Sequence, residues 1–116
     1  MQYKLQHYQR LKKNKDFQSV LSNSKKVSCE NLVAIYQEND KLTTRLGVAI
    51  SKRVARQAIL RNRIKRIIRE SFRLNQSLLP AMDVVVIVRS GEGIKDKKKL
   101  REIIDKLWKK LIALSQ

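Results

Sequence analysis

The chain reads as an α+β domain: one mixed β-sheet with a helix before it, a cationic helix inserted into it and a helix after it. Three observations predict this class. Leu42, Leu46, Val48 and Ile50 share one face of an alternating segment with Thr44, as in a half-buried strand. Val84 to Val88 is an unbroken β-branched run, which suits an inner strand covered on both faces. Two longer segments, Arg56 to Arg73 and Leu100 to Leu114, place their apolar residues at helical spacing.

The elements follow in order. The basic stretch 1–13 is expected to be irregular. Asn14 can cap a short helix in which Phe17, Val20 and Leu21 lie at i, i+3, i+4, ending near Ser22-Asn23-Ser24. Val27 to Tyr36 changes to a strand pattern, and Gln37 to Lys41 supplies a polar turn into the alternating strand. These two strands are expected to form an antiparallel hairpin. The basic helix comes next, and Pro80 breaks the chain before the β-branched strand, which should run parallel to its neighbour because a helix intervenes. Ser90-Gly91-Glu92-Gly93 is a turn, and Asp96 is placed to cap the last helix, whose stripe is Leu100, Ile103, Ile104, Leu107, Trp108, Leu111 and Leu114. At 116 residues, with no repeat or linker, the chain 1–116 is one domain with a modest core.

Charge narrows the function. Lys and Arg number 27 against 10 Asp and Glu, a formal charge of +17, and the basic residues recur from Lys4 to Lys110. The charge therefore belongs to the folded body, and its sign points to nucleic acid before anionic membrane. No apolar run approaches the roughly 18 residues of a membrane span. The N-terminus lacks the apolar core of a secretory signal, so the cytoplasm is the expected location. Cys29 and His7 each stand alone, which excludes an internal disulfide, a Cys-rich zinc site and a nucleophilic triad.

The basic helix concentrates the charge. Between Arg56 and Arg73 there are seven Arg or Lys and one Glu. At about 100° per residue, Leu60, Ile64, Ile67, Ile68, Phe72 and Leu74 fall on one arc, and Asn62, Lys65, Arg66, Arg69 and Arg73 on the opposite one. Like charges at i, i+4 cost a few tenths of a kcal/mol per pair, which an external polyanion would offset. A solvated helix ordinarily alternates its signs; this one does not. Arg61 falls at the edge of the apolar arc. Two readings stand for it: it reaches past the core toward a cleft, or it holds the fold by bonding a carbonyl.

The segment RNRIKRIIRESFR, from Arg61 to Arg73, resembles the signature of the bacterial ribonuclease P protein subunit. RLKKNKDF, RLGVAISKRVARQAILRNR, LPAMDVVVIV and the later KLWKK match that family in order, from Arg10 to Lys110. A lone Arg-Asn-Arg would carry little weight, but the ordered set is specific. The resemblance implies a single-domain α-β sandwich with α-β-β-β-α-β-α topology, one short strand more than the pattern above resolves. It also implies an unusual left-handed crossover at the basic helix, as in the ribosomal protein S5 domain 2-like fold, against the usual right-handed preference.

The resemblance further implies the auxiliary subunit of a ribonucleoprotein endoribonuclease. A catalytic RNA would remove the 5′ leader of precursor tRNA, and the protein would bind both RNAs and broaden the substrate range. The Mg²⁺ of such a holoenzyme would be held chiefly by the RNA. The residues agree with that division: the ten acids are scattered, Asp83, Glu92 and Asp96 being the nearest approach to a cluster, and no general base stands out. In the family the basic helix faces the catalytic RNA, so Arg61, Asn62, Arg63, Lys65, Arg66, Arg69 and Arg73 are the implied RNA-subunit contacts. The family's leader groove maps onto Phe17, Leu21, Ile35, Ser51 and Lys52, where Leu21 and Ile35 stand in for side chains that are aromatic in many relatives. No metal site, membrane or DNA partner is expected. The competing class is a structural ribosomal RNA-binding protein without turnover. A DNA-binding regulator is weaker, because strand sequence, and not a second helix, precedes the basic helix.

Overall fold

The computed structural model describes residues 25–39, 43–91 and 94–114. The expected first helix, with Asn14, Phe17, Val20 and Leu21, lies outside them.

Four strands form one sheet: β1 (Lys25–Cys29), β2 (Leu32–Glu38), β3 (Arg45–Ile50) and β4 (Met82–Val88), in the order β1-β2-β4-β3. Helix α1 (Ala58–Asn75) joins β3 to β4, a 3-10 turn (Gln76–Leu78) follows it, and α2 (Lys97–Leu114) closes the described chain. The sheet is mixed, with β1–β2 and β2–β4 antiparallel and β3–β4 parallel.

The pairing corrects one expectation. Val27 to Tyr36 and Leu42 to Ser51 do not form a hairpin with each other. The first of these segments is split into β1 and β2 by the two-residue turn Glu30-Asn31, where Glu30 has φ 53°. The strand that follows, β3, is separated from β2 by β4. The reason lies in β4 itself: Val84, Val85, Val86 and Val88 are all buried, and a strand apolar on both faces is best satisfied with a neighbour on each side. It takes the central position, and the chain from β2 to β3 must pass its end.

Parity then divides the sheet. Leu32, Ala34, Tyr36, Leu46, Val84, Val86 and Val88 face the two helices and share the main core with Ile64, Ile67, Ile68, Phe72, Leu100, Ile104, Leu107, Trp108 and Leu111. Each fully buried aliphatic side chain there contributes about 1.5–3 kcal/mol. The opposite face carries a smaller cluster of Val33, Ile35 and Val85, bordered by Ala49 and Ile87. Cys29 is buried and free.

Polar contacts lock the helical layer. Ser71 was not assigned to the apolar arc, yet it is buried between the helices, where it donates to Asp105 Oδ1 (3.2 Å) and accepts from Trp108 Nε1 (2.9 Å). Phe72 meets Trp108 edge to face, with centroids 5.9 Å apart. Asp96 caps α2 as its position predicts, accepting from the backbone N–H of Lys98 (3.0 Å) and Lys99 (3.2 Å). Leu74 and Leu114, placed by periodicity on apolar stripes, are exposed because each sits in the last turn of its helix, beyond the packed interface.

Candidate nucleic-acid interface

Helix α1 presents two chemically opposite faces. Ile64, Ile67, Ile68 and Phe72 are buried, which fixes the rotation of the helix about its axis. Asn62 and Arg66 are consequently exposed, and Lys65, Arg69 and Arg73 are half-buried at the base of the same ridge. Half-burial is informative for long basic side chains: their methylene stems lie along the surface while the charged ends stay in water. The helix has no acidic residue in its first turn, and its N-cap residue, Gln57, makes no side-chain capping bond. The positive end of the helix dipole therefore adds to the ridge. Ile59, in that first turn, is 84% exposed.

The two flanking arginines behave differently from the ridge. Arg61 Nη1 donates to Ala55 O and Arg56 O, both at 2.8 Å. Of the two readings open for it, the carbonyl-bonding one is the observed arrangement: Arg61 ties the connection before α1 onto the helix. Arg63 is half-buried, and its Nε is buried without a hydrogen-bond partner. Such a group costs about 1–3 kcal/mol.

The connection held by Arg61 carries the next group of cations. After β3 the chain turns at Ser51, whose carbonyl accepts from the N–H of Val54 and Ala55 (both 3.1 Å). Ser51, Lys52, Arg53 and Arg56 are exposed around this turn, while Ala55 is buried as its anchor. Gly91 approaches it from β4's side: a Cβ there would come within 3.3 Å of Val54 O. Ile35, by contrast, is only 6% exposed in the cluster of the opposite sheet face. Of the residues expected to line a leader groove, Ser51 and Lys52 offer surface, Ile35 is packed away, and Phe17 and Leu21 lie outside the described residues.

One charged pair is structural. Arg45 grips Asp83 with two parallel bonds, Nε to Oδ1 (2.8 Å) and Nη2 to Oδ2 (2.7 Å), and Asn39 Nδ2 donates to Oδ1 (2.8 Å). The two side chains are 13% and 5% exposed. The sequence reading passed over this pair. A visible signal was opposite charges, each interrupting an apolar strand at an outward-facing position. Among the described residues no three His, Cys, Asp or Glu side chains converge on a point. Nor is any described helix long and apolar enough to cross a membrane.

These features define a class, a small α+β domain whose excess positive charge is built onto a rigid helix and the turn leading into it. The family model for ribonuclease P matches residues 5–112, and the chain belongs to that family. Solved structures agree. The RNase P protein of Staphylococcus aureus superposes with a TM-score of 0.77 at 34% identity, over 87% of this chain and 93% of that one. The RNase P protein of Thermotoga maritima does so with a TM-score of 0.78 at 31% identity, over 87% and 96% respectively. Membership makes the chain the protein subunit of ribonuclease P, part of an endoribonuclease complex of tRNA processing.

Proposed function

We propose that this subunit works in the cytoplasm, holding the ribonuclease P RNA on the ridge of α1 and the 5′ leader of precursor tRNA on the turn that begins at Ser51. The observation that carries the reading is the ridge itself: Asn62, Lys65, Arg66, Arg69 and Arg73 on one face of a helix whose other face is locked in the core. An RNA backbone is the polyanion that offsets such a row of like charges. Arg63, half-buried beside the ridge, adds a further cation to it. Arg61 contributes by positioning, since it fixes the connection from Lys52 to Arg56 against the helix.

Binding and orientation are what these residues can supply. The described carboxylates do not fit a metal ion: no three converge, and Asp83, the buried one, is taken by Arg45 and Asn39. On this reading the RNA holds the Mg²⁺ and performs the phosphodiester hydrolysis that leaves a 5′-phosphate on the mature tRNA. Lys52 donates to leader phosphates, which is a sequence-tolerant contact. Phe17 and Leu21 remain proposed leader contacts, and Ile35 supports the groove from within.

Lys52→Ala tests the leader assignment. One phosphate contact to a single strand is worth about 0.7 units of log–log salt slope, or about five-fold at 0.1 M salt. Affinity of the assembled enzyme for leader-bearing precursor should fall by that amount, with affinity for mature tRNA unchanged. Equal losses for both RNAs would contradict the assignment.

A further inference from the structure

Helix α2 carries a second cationic surface, away from the ridge of α1. Two hydrogen bonds define which way each edge of the helix faces. Asp105 accepts from Ser71, so that edge lies against α1; Lys110 Nζ donates to Ser28 O at 2.9 Å, so the opposite edge lies over β1, the outermost strand. At about 100° per residue, Lys99, Lys106 and Lys110 fall within about 40° of one another on the β1 side. They form a stripe about 16 Å long. All three are exposed, as is Lys25, which shares the helix-facing side of β1 with Val27 and Cys29. The seam between α2 and β1 ends in two clefts, one shared by Lys25 and Leu114, the other by Lys99, Arg89 and Glu30. Among the described residues none of these four lysines is in an ion pair. Of the acids of α2, Asp105 falls outside the stripe, among Lys98, Arg101 and Lys109, and Glu102 borders it, at i+3 from Lys99 and i−4 from Lys106.

We propose that this seam is a second RNA-binding surface, which grips the phosphate backbone of the ribonuclease P RNA at a segment distinct from the one held by α1. The inference rests on the reading that α1 binds that RNA. Lysines on an edge strand also discourage pairing with another chain, and that role accounts for Lys25 and Lys26. It does not account for three more on a helix, aligned with each other on the side turned away from Asp105. Lysine offers point charges for phosphates, and Tyr36, which pairs with Lys25 across β1 and β2, is buried and presents no open platform for bases, so the ligand is backbone and not a stacked single strand. The RNA subunit is the favoured source because the seam and the ridge belong to the same helical layer, joined through Ser71, Asp105, Phe72 and Trp108. The ridge lies on the β3 side of that layer and the seam on the β1 side, so one RNA must reach both edges with separate segments.

The test compares two triple variants of equal charge loss. Lys25→Ala with Lys99→Ala and Lys106→Ala removes the seam; Lys98→Ala with Arg101→Ala and Lys109→Ala removes three charges from the rest of α2. Every one of these side chains is exposed, and thermal unfolding establishes that both variants fold. Binding of ribonuclease P RNA is then measured against salt, and binding of precursor tRNA to the assembled enzyme separately. The seam variant should lose about two units of slope and about a hundred-fold in affinity for the RNA subunit at 0.1 M salt, and the control variant much less. Equal losses in the two variants would reduce the effect to net charge and overturn the proposal. So would a loss confined to precursor tRNA, which would assign the seam to substrate. A ridge variant that loses slope while the seam variant does not would sink this inference alone; if neither loses slope, the RNA-binding reading falls with it.

Discussion

Arg66→Glu combined with Arg69→Glu should weaken binding of the ribonuclease P RNA by about a hundred-fold at 0.1 M salt and flatten its salt dependence by nearly two log–log units. Each duplex phosphate contact contributes about 0.9 units of slope, so two lost contacts account for most of the effect, and repulsion by the new carboxylates adds to it. Arg66 is exposed and Arg69 half-buried. The single variant Arg66→Glu, which disturbs packing least, should therefore show about half the slope change with an unaltered melting temperature. A folded double variant with the parent's slope would remove α1 as the RNA face.

Asp83→Ala should cost about 3–5 kcal/mol of folding stability, because it takes the doubly bonded carboxylate from Arg45 in a nearly closed site. Small domains have about 5–15 kcal/mol in total, so urea denaturation should show a large fall in midpoint. Asp83 does more than pair with a charge. It sits opposite Arg45 in the parallel β3–β4 ladder and also accepts from Asn39, which donates to Thr43 O (3.2 Å) and closes the connection between β2 and β3. Loss of the carboxylate loosens β3, and β3 delivers Ser51 and Lys52 to the surface. The double change Arg45→Met with Asp83→Leu should recover most of the stability, since replacing both partners of a buried ion pair by apolar residues is often neutral or favourable. An Asp83→Ala protein that unfolds like the parent would show that the pair contributes little.

The contrast between these two sites explains what the sequence could convey. The ridge of α1 is local: four turns of one helix contain its whole pattern, so periodicity alone separates Ile64, Ile67, Ile68 and Phe72 from Lys65, Arg66, Arg69 and Arg73. The cap at Asp96 is local in the same way. The bond between Arg45 and Asp83 spans 38 residues and depends on β4 entering the sheet beside β3. Alternation in each strand shows which face a residue takes and says nothing about its neighbour, which is why a hairpin between β2 and β3 was the natural expectation. Ser71 at the helix interface had the same obstacle, its partners Asp105 and Trp108 being on another element. Arg61 was legible as an anomaly, a charge at an apolar edge, and only the position of the 55–56 carbonyls decides between its two readings. The lysine stripe on α2 is visible in the sequence as spacing, but Lys110 must reach Ser28 before that stripe acquires a side of the molecule.

The proposed function has this subunit make a ribonuclease effective by holding RNA. Its most direct test mixes the purified chain with a bacterial ribonuclease P RNA and a 5′-labelled precursor tRNA at low magnesium, measures the rate of cleavage, and compares it with that of the RNA alone, which should be slow. Strong stimulation, with the cut at the mature 5′ end, is the predicted result; tight binding of the RNA with no change in rate would contradict the account.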